Sequence, residues 1–295
     1  MKVVLFCGGY GMRLREFSEA IPKPMVNIGY RPILWHVMKY YAHFGHKDFI
    51  LCLGWKGDVI KDYFLRYDEC VSNDFVLSAG GRHVDLISSD IDDWTVTFVD
   101  TGTASSIGQR LLAVERHLDG EETFLANYTD GLTDLPLPQL IDFYCEQRAA
   151  AAFVAVRPNQ SFHTVAFDED GLVKRIEAVG QSDVWMNGGN FVLSQEIFSH
   201  MRHGEELVNE PFQRLIVERR LAAFKYEGFW SCMDTFKEKQ HLDEMYARGE
   251  ARWELWKQPA PAESLRPASP IESASPIDET LLKAQRRTGR LRAAK

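Results

Sequence analysis

Long apolar runs and metal-type cysteine spacings are missing from this sequence. It has no run of 18 apolar residues, which excludes a membrane-spanning helix. The N-terminal apolar run, Val3–Cys7, spans only five residues before a Gly-rich turn, so we expect a buried strand rather than a signal peptide. The five cysteines share no C-x-x-C spacing, and three stand in apolar, strand-like stretches, where Cys behaves as a small hydrophobe. These absences predict a cytoplasmic protein with reduced cysteines and no membrane partner.

Aromatic residues are absent from the last part of the chain. All 35 of them lie at or before Trp256, whereas 5 of the 12 prolines follow it. A segment of that composition cannot bury enough apolar area to offset the entropy of ordering it. We therefore predict one main domain over residues 1–256, followed by a Pro/Ala/Ser-rich linker and a basic C-terminal extension over residues 257–295.

Acidic residues outnumber basic residues in the rest of the chain. The net charge is −8, and six Lys or Arg residues with no acid lie between Lys283 and Lys295, so removing those six leaves −14 on residues 1–282. An acidic body of this kind repels phosphate backbones. The charge balance predicts no nucleic-acid partner.

Short apolar runs alternate with helical patterns through the first half of the chain, which predicts βαβ units and a mostly parallel sheet. Pro32 starts a predicted helix with Ile33, Val37, Met38 and Tyr41 on one face, and Ser105 or Ser106 caps a later helix. From residue 151 the strands follow each other closely, with a hairpin turn at D-E-D-G. We expect this mixed region to complete the sheet and cover one edge, and helices near the C-terminal end, including one bearing Trp253 and Trp256, to close the globule.

The turn after the first strand has the first chemical signal. Gly8, Gly9 and Gly11 would let the backbone approach a ligand and point N–H groups at phosphate oxygens, and Arg13 adds a cation. The pattern lacks the third glycine of a Rossmann fingerprint, because Leu14 stands there, and no G-K-[S/T] follows as in a P-loop. A phosphate site and a plain tight turn both remain open.

Three further residues sharpen this signal. Lys23 has proline on both sides, which stiffens the backbone around one ammonium group. Asp130 follows an apolar strand, where carboxylates face the ligand crevice of an open α/β sheet. Asp234 stands in the segment G-F-W-S-C-M-D-T. Asp130 alone would serve as a turn cap, and Asp234 as the N-cap of the last long helix. Paired across the crevice, the two aspartates would offer Mg²⁺ hard oxygen ligands beside a phosphate.

Taken together, the motifs resemble those of the sugar nucleotidyltransferases, and within them the glucose-1-phosphate cytidylyltransferases. The resemblance covers residues 1 to about 248 and rests on five motifs in order: GG-x-G-x-R-L, PKPM, x-DG after a strand, NGG-x-FVLS and GFW-x-x-MDT. It implies a Rossmann-like, GT-A-like nucleotidyltransferase domain with a mixed, mostly parallel sheet, flanking helices and a small β excursion. The implied reaction joins a nucleoside triphosphate, CTP in the first instance, to a sugar 1-phosphate, giving an NDP-sugar and pyrophosphate.

The resemblance also implies roles for individual residues. Arg13, Lys23 and Asp130 would be catalytic, and Mg²⁺ or Mn²⁺ would be held by Asp130 and Asp234. The nucleotide would be bound by Gly8, Gly9, Gly11, Arg13, Lys23 and Arg110. The sugar would be bound by His163, Glu177, Asn187 and Gly188. The family commonly assembles, which allows a homo-oligomer.

The sequence departs from the family pattern at several positions, two of them at the sugar end. The family's threonine before the arginine is here Met12, and its G-D-G is Thr129-Asp130-Gly131. The family's E-K-P stretch, whose lysine holds the sugar phosphate, is here Glu177-Ala178-Val179, and its F-G pair is Phe162-His163. Either Lys174 or Arg175 replaces that lysine, or the substrate differs. The second case predicts a metal-dependent, flavin-independent pyranose/furanose mutase acting on a finished NDP-sugar such as a GDP-sugar, with His163 and Glu177 as acid/base groups. A non-catalytic nucleotide-sugar binding protein is the third hypothesis.

Overall fold

The computed structural model describes residues 1–9, 21–159 and 162–257. Gly11, Arg13 and the predicted extension beyond Lys257 therefore lie outside the described residues. The strands within these ranges are β1 Val3–Phe6, β2 Asn27–Ile28, β3 Arg31–Pro32, β4 Asp48–Leu53, β5 Phe75–Ser78, β6 His83–Leu86, β7 Thr95–Asp100, β8 Thr123–Asn127, β9 Gly131–Thr133, β10 Ala151–Val156, β11 His163–Phe167, β12 Val173–Ala178, β13 Met186–Ser194, β14 Leu221–Tyr226 and β15 Trp230–Cys232. The α-helices are α1 Ile33–His43, α2 Gly57–Leu65, α3 Glu69–Ser72, α4 Ile107–Val114, α5 Leu137–Gln147, α6 Glu210–Val217 and α7 Phe236–Ala247.

A seven-stranded sheet forms the centre of the domain, with the strand order β14-β10-β13-β8-β1-β4-β7. Every neighbouring pair is parallel except for the two pairs that β13 makes, with β8 and with β10. The mixed, mostly parallel sheet with flanking helices is thus confirmed. Since four parallel strands, β1, β4, β7 and β8, end at the same edge, the loops that follow them meet there.

The five inner strands of the sheet are buried on both faces, which explains their continuous apolar sequences, whereas the edge strands β7 and β14 are partly exposed. Along β1 the side chains alternate between two core clusters, with Val3 and Leu5 in one and Val4 and Phe6 in the other. Helix α1 covers the first face with the residues that its periodicity predicts, and Ile33, Val37, Met38 and Tyr41 are at most 2% exposed.

The segment after the last long helix differs from the prediction. Helix α7 ends at Ala247, Gly249 has a φ of +71°, and a short 3-10 turn follows at Leu255–Lys257, so Trp253 does not lie on the predicted helix. Trp253 is 1% exposed and stacks on Phe229, with the ring centroids 5.8 Å apart. Trp256 meets Trp35 edge to face at 5.7 Å. Both tryptophans pack against their own domain.

The hairpins β5–β6 and β11–β12, like the short β2–β3 pair, stand apart from the central sheet. The β11–β12 hairpin was predicted from its D-E-D-G turn, whereas the β5–β6 hairpin and the edge strand β14 were not predicted. The cysteines are all unpaired, and Cys7, Cys52 and Cys232 are buried. Across the described ranges, no helix is long and apolar enough to cross a membrane.

Candidate active site

The loops after β1, β4 and β7 are tied together by one buried arginine. Arg110 projects from α4 and is 2% exposed. One terminal nitrogen of its guanidinium group, Nη1, donates three hydrogen bonds: to the Leu53 carbonyl at 3.2 Å, to the Thr101 hydroxyl at 2.7 Å and to the Gly102 carbonyl at 2.9 Å. The other, Nη2, donates to the Gly8 carbonyl at 2.9 Å. A single side chain thereby fixes the ends of three parallel strands.

This packing explains why Gly8 is a glycine. A Cβ atom at Gly8 would lie 1.9 Å from Nη1 of Arg110, and one at Gly54 would lie 2.6 Å from the Gly8 carbonyl oxygen. Gly9 is exposed instead, and a Cβ there would meet nothing within 4 Å. Gly8 therefore leaves room for the Arg110 guanidinium on the buried side of the loop. Among the described residues, the backbone of Gly9 is open on the other side. Because its donors face carbonyl oxygens, Arg110 is placed to hold the loop, which differs from the predicted contact with nucleotide phosphates.

Lys23 stands between the two predicted metal ligands. Its Nζ atom lies 2.7 Å from Oδ2 of Asp130 and 2.5 Å from Oδ1 of Asp234. Burial would lower the pKa of Lys23, but the two carboxylates outweigh it and raise the pKa above its ordinary value. The prolines at positions 22 and 24 begin a 3-10 turn around this lysine, as its flanking sequence predicted for a fixed cation.

The two aspartates meet because β9 and β15 form a short antiparallel pair. Cys232 pairs with Gly131, and the backbone N–H of Met233 donates to the Asp130 carbonyl at 2.8 Å. The interpretation of Asp234 as a helix cap is wrong. Thr235 is the N-cap of α7 and forms a capping box with Glu238, so the Asp234 carboxylate is directed to Lys23 instead.

Thr129 fixes the start of the Asp130 loop. It has a φ of +66°, a left-handed conformation that a β-branched residue rarely adopts. Its hydroxyl donates to the Phe6 carbonyl at 2.9 Å, and its N–H donates to the Asn127 side chain at 2.7 Å. These bonds tie the loop to β1 and offset a strain on the order of 1–3 kcal/mol. The sequence pointed to Asp130 alone, and no pattern in it indicated the conformation of Thr129.

We call these loops, with Arg110, Lys23, Asp130 and Asp234, the loop side of the site. The donor set fits a magnesium ion, because Mg²⁺ in proteins is commonly bound by one or two carboxylates together with substrate phosphates. No cluster of three or more His, Cys, Asp or Glu occurs in the described part of the chain, so an all-protein cage is not offered there.

The hairpin side of the site comprises β13, β10 and the β11–β12 hairpin. Asn187 donates from Nδ2 to the Tyr128 hydroxyl at 3.2 Å. The Gly188 carbonyl accepts from Nε1 of Trp230 at 2.8 Å, and a Cβ at Gly188 would lie 3.1 Å from Val156. Asn187 and Gly188 are therefore linked to the Asp130 loop, because Tyr128 precedes that loop and Trp230 begins β15. The role of Trp230 was not predicted, although its G-F-W segment was part of the motif.

His163 and Glu177 are not brought together. Thr164 is the cross-strand partner of Glu177, and His163 that of Ala178, so the His163 and Glu177 side chains lie on opposite faces of the hairpin. His163 is exposed, and Glu177 pairs with Arg175 at 3.2 Å. The structure does not support these two residues as a joint acid/base pair.

Comparison with known proteins gives three concordant results. The family model for nucleotidyl transferases matches residues 2–237. The chain is 37% identical over 258 residues to a probable glucose-1-phosphate cytidylyltransferase of Bacillus subtilis and to a glucose-1-phosphate cytidylyltransferase of Salmonella typhi, covering 87% of this chain and 100% of each relative. It is 26% identical to a mannose-1-phosphate guanyltransferase of Candida albicans, covering 82% of this chain and 63% of that one.

Solved structures share the fold at lower identity. HddC from Yersinia pseudotuberculosis superposes with a TM-score of 0.59 at 20% identity, covering 83% of this chain and 99% of HddC. A UDP-glucose pyrophosphorylase complexed with UDP-glucose gives a TM-score of 0.61 at 15% identity, covering 84% and 98%. At these identities the likeness concerns the fold alone.

Proposed function

The chain belongs to the nucleotidyl transferase family, and from that premise we propose that it is a sugar-phosphate nucleotidyltransferase that uses CTP and a sugar 1-phosphate and depends on Mg²⁺ or Mn²⁺. Support for CTP comes from the names of the relatives that match over their whole length, which are glucose-1-phosphate cytidylyltransferases. The carrying observation is the group Lys23, Asp130 and Asp234, at the sheet edge where the neighbouring parallel strands β1 and β8 both end.

The proposed chemistry is nucleotidyl transfer. An oxygen of the sugar 1-phosphate attacks the α-phosphorus of CTP, the bond from that phosphorus to the bridging oxygen breaks, and pyrophosphate leaves with the electron pair. A divalent ion held by Asp130 and Asp234 would supply charge neutralisation on the phosphates.

The residues of the chain supply position and charge for this reaction. Lys23 keeps its proton because its pKa is raised, so its ammonium group can neutralise a phosphate oxygen. Gly9 allows phosphate oxygens to approach the backbone, and Arg110 holds the loop in place from below. Nucleotidyl transfer asks for little covalent chemistry from the protein, which agrees with a site built from fixed cations and carboxylates.

Pyrophosphate release tests the proposal. The full chain would be incubated with Mg²⁺, each of the four ribonucleoside triphosphates and dTTP, and a panel of sugar 1-phosphates, and the products separated by chromatography. We expect pyrophosphate and an NDP-sugar with CTP. The absence of pyrophosphate across the panel would overturn the proposed activity, and release with another triphosphate alone would overturn the choice of CTP.

The mutase hypothesis has a distinct product. It requires a metal-dependent rearrangement of a preformed NDP-sugar, such as a GDP-sugar, with no pyrophosphate formed. No observation in the described residues favours it, because His163 and Glu177 are divided between two faces of the hairpin. A binding protein without turnover would give neither product, so the same panel with NDP-sugars added separates all three functions.

A further inference from the structure

Three side chains on neighbouring strands extend the hairpin side of the site beyond Asn187. Ala155 of β10 is the cross-strand partner of both Asn187 in β13 and Lys225 in β14, so these three residues form one row on the same face of the sheet. Arg157 directly follows β10 and Trp185 directly precedes β13, so both lie just beyond this row at the same end of the two antiparallel strands. Ala155 places only a methyl group between Lys225 and Asn187.

Trp185 lies against two cations at once. The Arg157 guanidinium carbon is 4.6 Å from the centroid of the indole ring, and the Lys225 Nζ atom is 5.0 Å from it. Cation–π contacts of this length hold both positive charges at one place on the surface. We call Arg157, Trp185 and Lys225 the cationic shelf.

The charges of the shelf are only weakly neutralised. Arg157 donates from Nη1 to the Ser182 carbonyl, and its Nε atom is 3.8 Å from Oε1 of Glu227, whose side chain is 73% exposed. Within the described ranges, Lys225 forms no ion pair of 4.0 Å or less with a carboxylate. In an acidic domain, two adjacent cations that share only one solvent-exposed carboxylate, at 3.8 Å from Arg157, leave a net positive charge that attracts an anion.

The shelf is connected to the loop side through one residue. Asn187 lies in the row of Lys225 and donates to Tyr128, which precedes the Asp130 loop by two positions. The position that corresponds to the expected lysine of the hairpin is Ala178, which offers no charge. Arg175 is engaged by Glu177 on the hairpin itself.

We propose that the cationic shelf binds the phosphate group of the sugar 1-phosphate, with Arg157 and Lys225 as its two cations and Trp185 as their support. This inference deepens the proposed function and rests on it for the identity of the substrate. Arg157 and Lys225 contact the phosphate, and Trp185 is a positioning residue.

Direct binding tests the shelf without requiring turnover. Glucose 1-phosphate would be titrated calorimetrically into the full chain and into the variants Arg157→Gln, Lys225→Gln and the double variant, with CTP titrated separately. We expect each single substitution to weaken glucose 1-phosphate binding about tenfold and the double substitution about a hundredfold, since each removes one charge-assisted contact. CTP affinity stays the same. Glucose in place of glucose 1-phosphate shows whether the phosphate is the recognised group.

Control variants separate the shelf from its rivals. Lys61→Gln removes an exposed lysine from α2 and leaves both affinities unchanged. Trp185→Phe, which keeps an aromatic ring, weakens glucose 1-phosphate binding less than Trp185→Leu does. Unchanged affinity in the double variant, a larger loss in Lys174→Gln or Arg175→Gln, or no measurable binding by the unmodified chain would overturn the shelf. Loss of binding in the shelf variants without any pyrophosphate release would leave the shelf standing and overturn the proposed function instead.

Discussion

The loop side and the hairpin side of the site differ in how their functional side chains are held. On the loop side, Arg110 makes its hydrogen bonds in full burial, Thr129 ties two strands together, and Lys23 bridges two carboxylates. On the hairpin side, Asn187 and Gly188 are anchored, but His163 lies on an exposed two-stranded hairpin.

The proposed function gives each side a different task. Phosphate transfer depends on charges that are already in position, so the residues around the transferring group are fixed by burial and hydrogen bonds. Sugar recognition is determined by individual contacts, and a residue on an exposed hairpin can be exchanged at little cost to the fold. An exchange on the exposed hairpin, as at Ala178 and His163, therefore costs the fold little, although the sequence also departs from the family pattern at Met12 and Thr129 on the loop side.

The largest expected effect is on turnover, when one carboxylate is removed from the loop side and, as a control, one from the hairpin. Asp130→Ala removes a proposed metal ligand and one partner of Lys23, so we expect turnover to fall by a factor on the order of 10³, the size seen for lost electrostatic stabilisation of a transition state. Asp170→Ala, at the exposed tip of the β11–β12 hairpin, is the matched control and leaves turnover unchanged. Pyrophosphate release measures both. Equal activity of the two variants would remove the distinction between the sides.

A smaller effect distinguishes the two possible roles of Arg110. Arg110→Met leaves the buried Gly8 carbonyl without the donor that Arg110 provides and removes the link between three strand ends. We therefore expect the free energy of unfolding to fall by about 3 kcal/mol and the KM for CTP to rise about tenfold as the Gly8 loop loosens. Arg175→Met on the exposed hairpin changes stability by less than about 0.5 kcal/mol. Urea unfolding and initial rates measure the two quantities.

The pattern of losses identifies the role. A loss of CTP affinity together with stability supports a residue that holds the loop. If CTP affinity falls while the free energy of unfolding stays constant, Arg110 contacts the phosphates directly, as the sequence resemblance implied, and its placement below the loop is not its function.

The loop side was largely predictable from sequence because its signals are local. A strand ending in glycines, a lysine between prolines and an aspartate after an apolar strand each depend on a few adjacent residues, and Lys23, Asp130 and Asp234 do meet. Arg110 was identified, but its burial beneath Gly8 depends on packing between α4 and three strand ends, which no spacing in the sequence shows.

The hairpin side was harder to predict because its signals depend on register. A shift of one residue decides which face a side chain occupies, and the D-E-D-G turn alone did not show that His163 and Glu177 are on opposite faces. The shelf was missed for a related reason. Lys225 lies on β14, an edge strand that was not predicted, about 70 residues from Arg157 in sequence but adjacent in the sheet.

Two histidines extend the comparison to the effect of pH on stability. His36 in α1, behind the loop side, is 1% exposed, and its Nδ1 atom accepts a hydrogen bond from Trp253 Nε1 at 3.2 Å. Burial lowers the pKa of His36 from 6.5 to about 4, which keeps the imidazole neutral in the folded protein. His163 on the hairpin side is exposed to solvent.

The smallest expected effect is a difference in pH slope between variants at these two histidines. Because folding depresses the pKa of His36, the stabilisation is complete above about pH 6.5 and is lost as the pH falls toward 4. We expect the loss to reach about 1 kcal/mol between pH 7 and pH 5.5. His36→Gln removes this part of the slope whatever its own cost in stability, and His163→Gln, a substitution of an exposed side chain, is the control variant. Urea unfolding at the two pH values measures it, and an unchanged slope in His36→Gln would show that His36 is not held neutral by its burial.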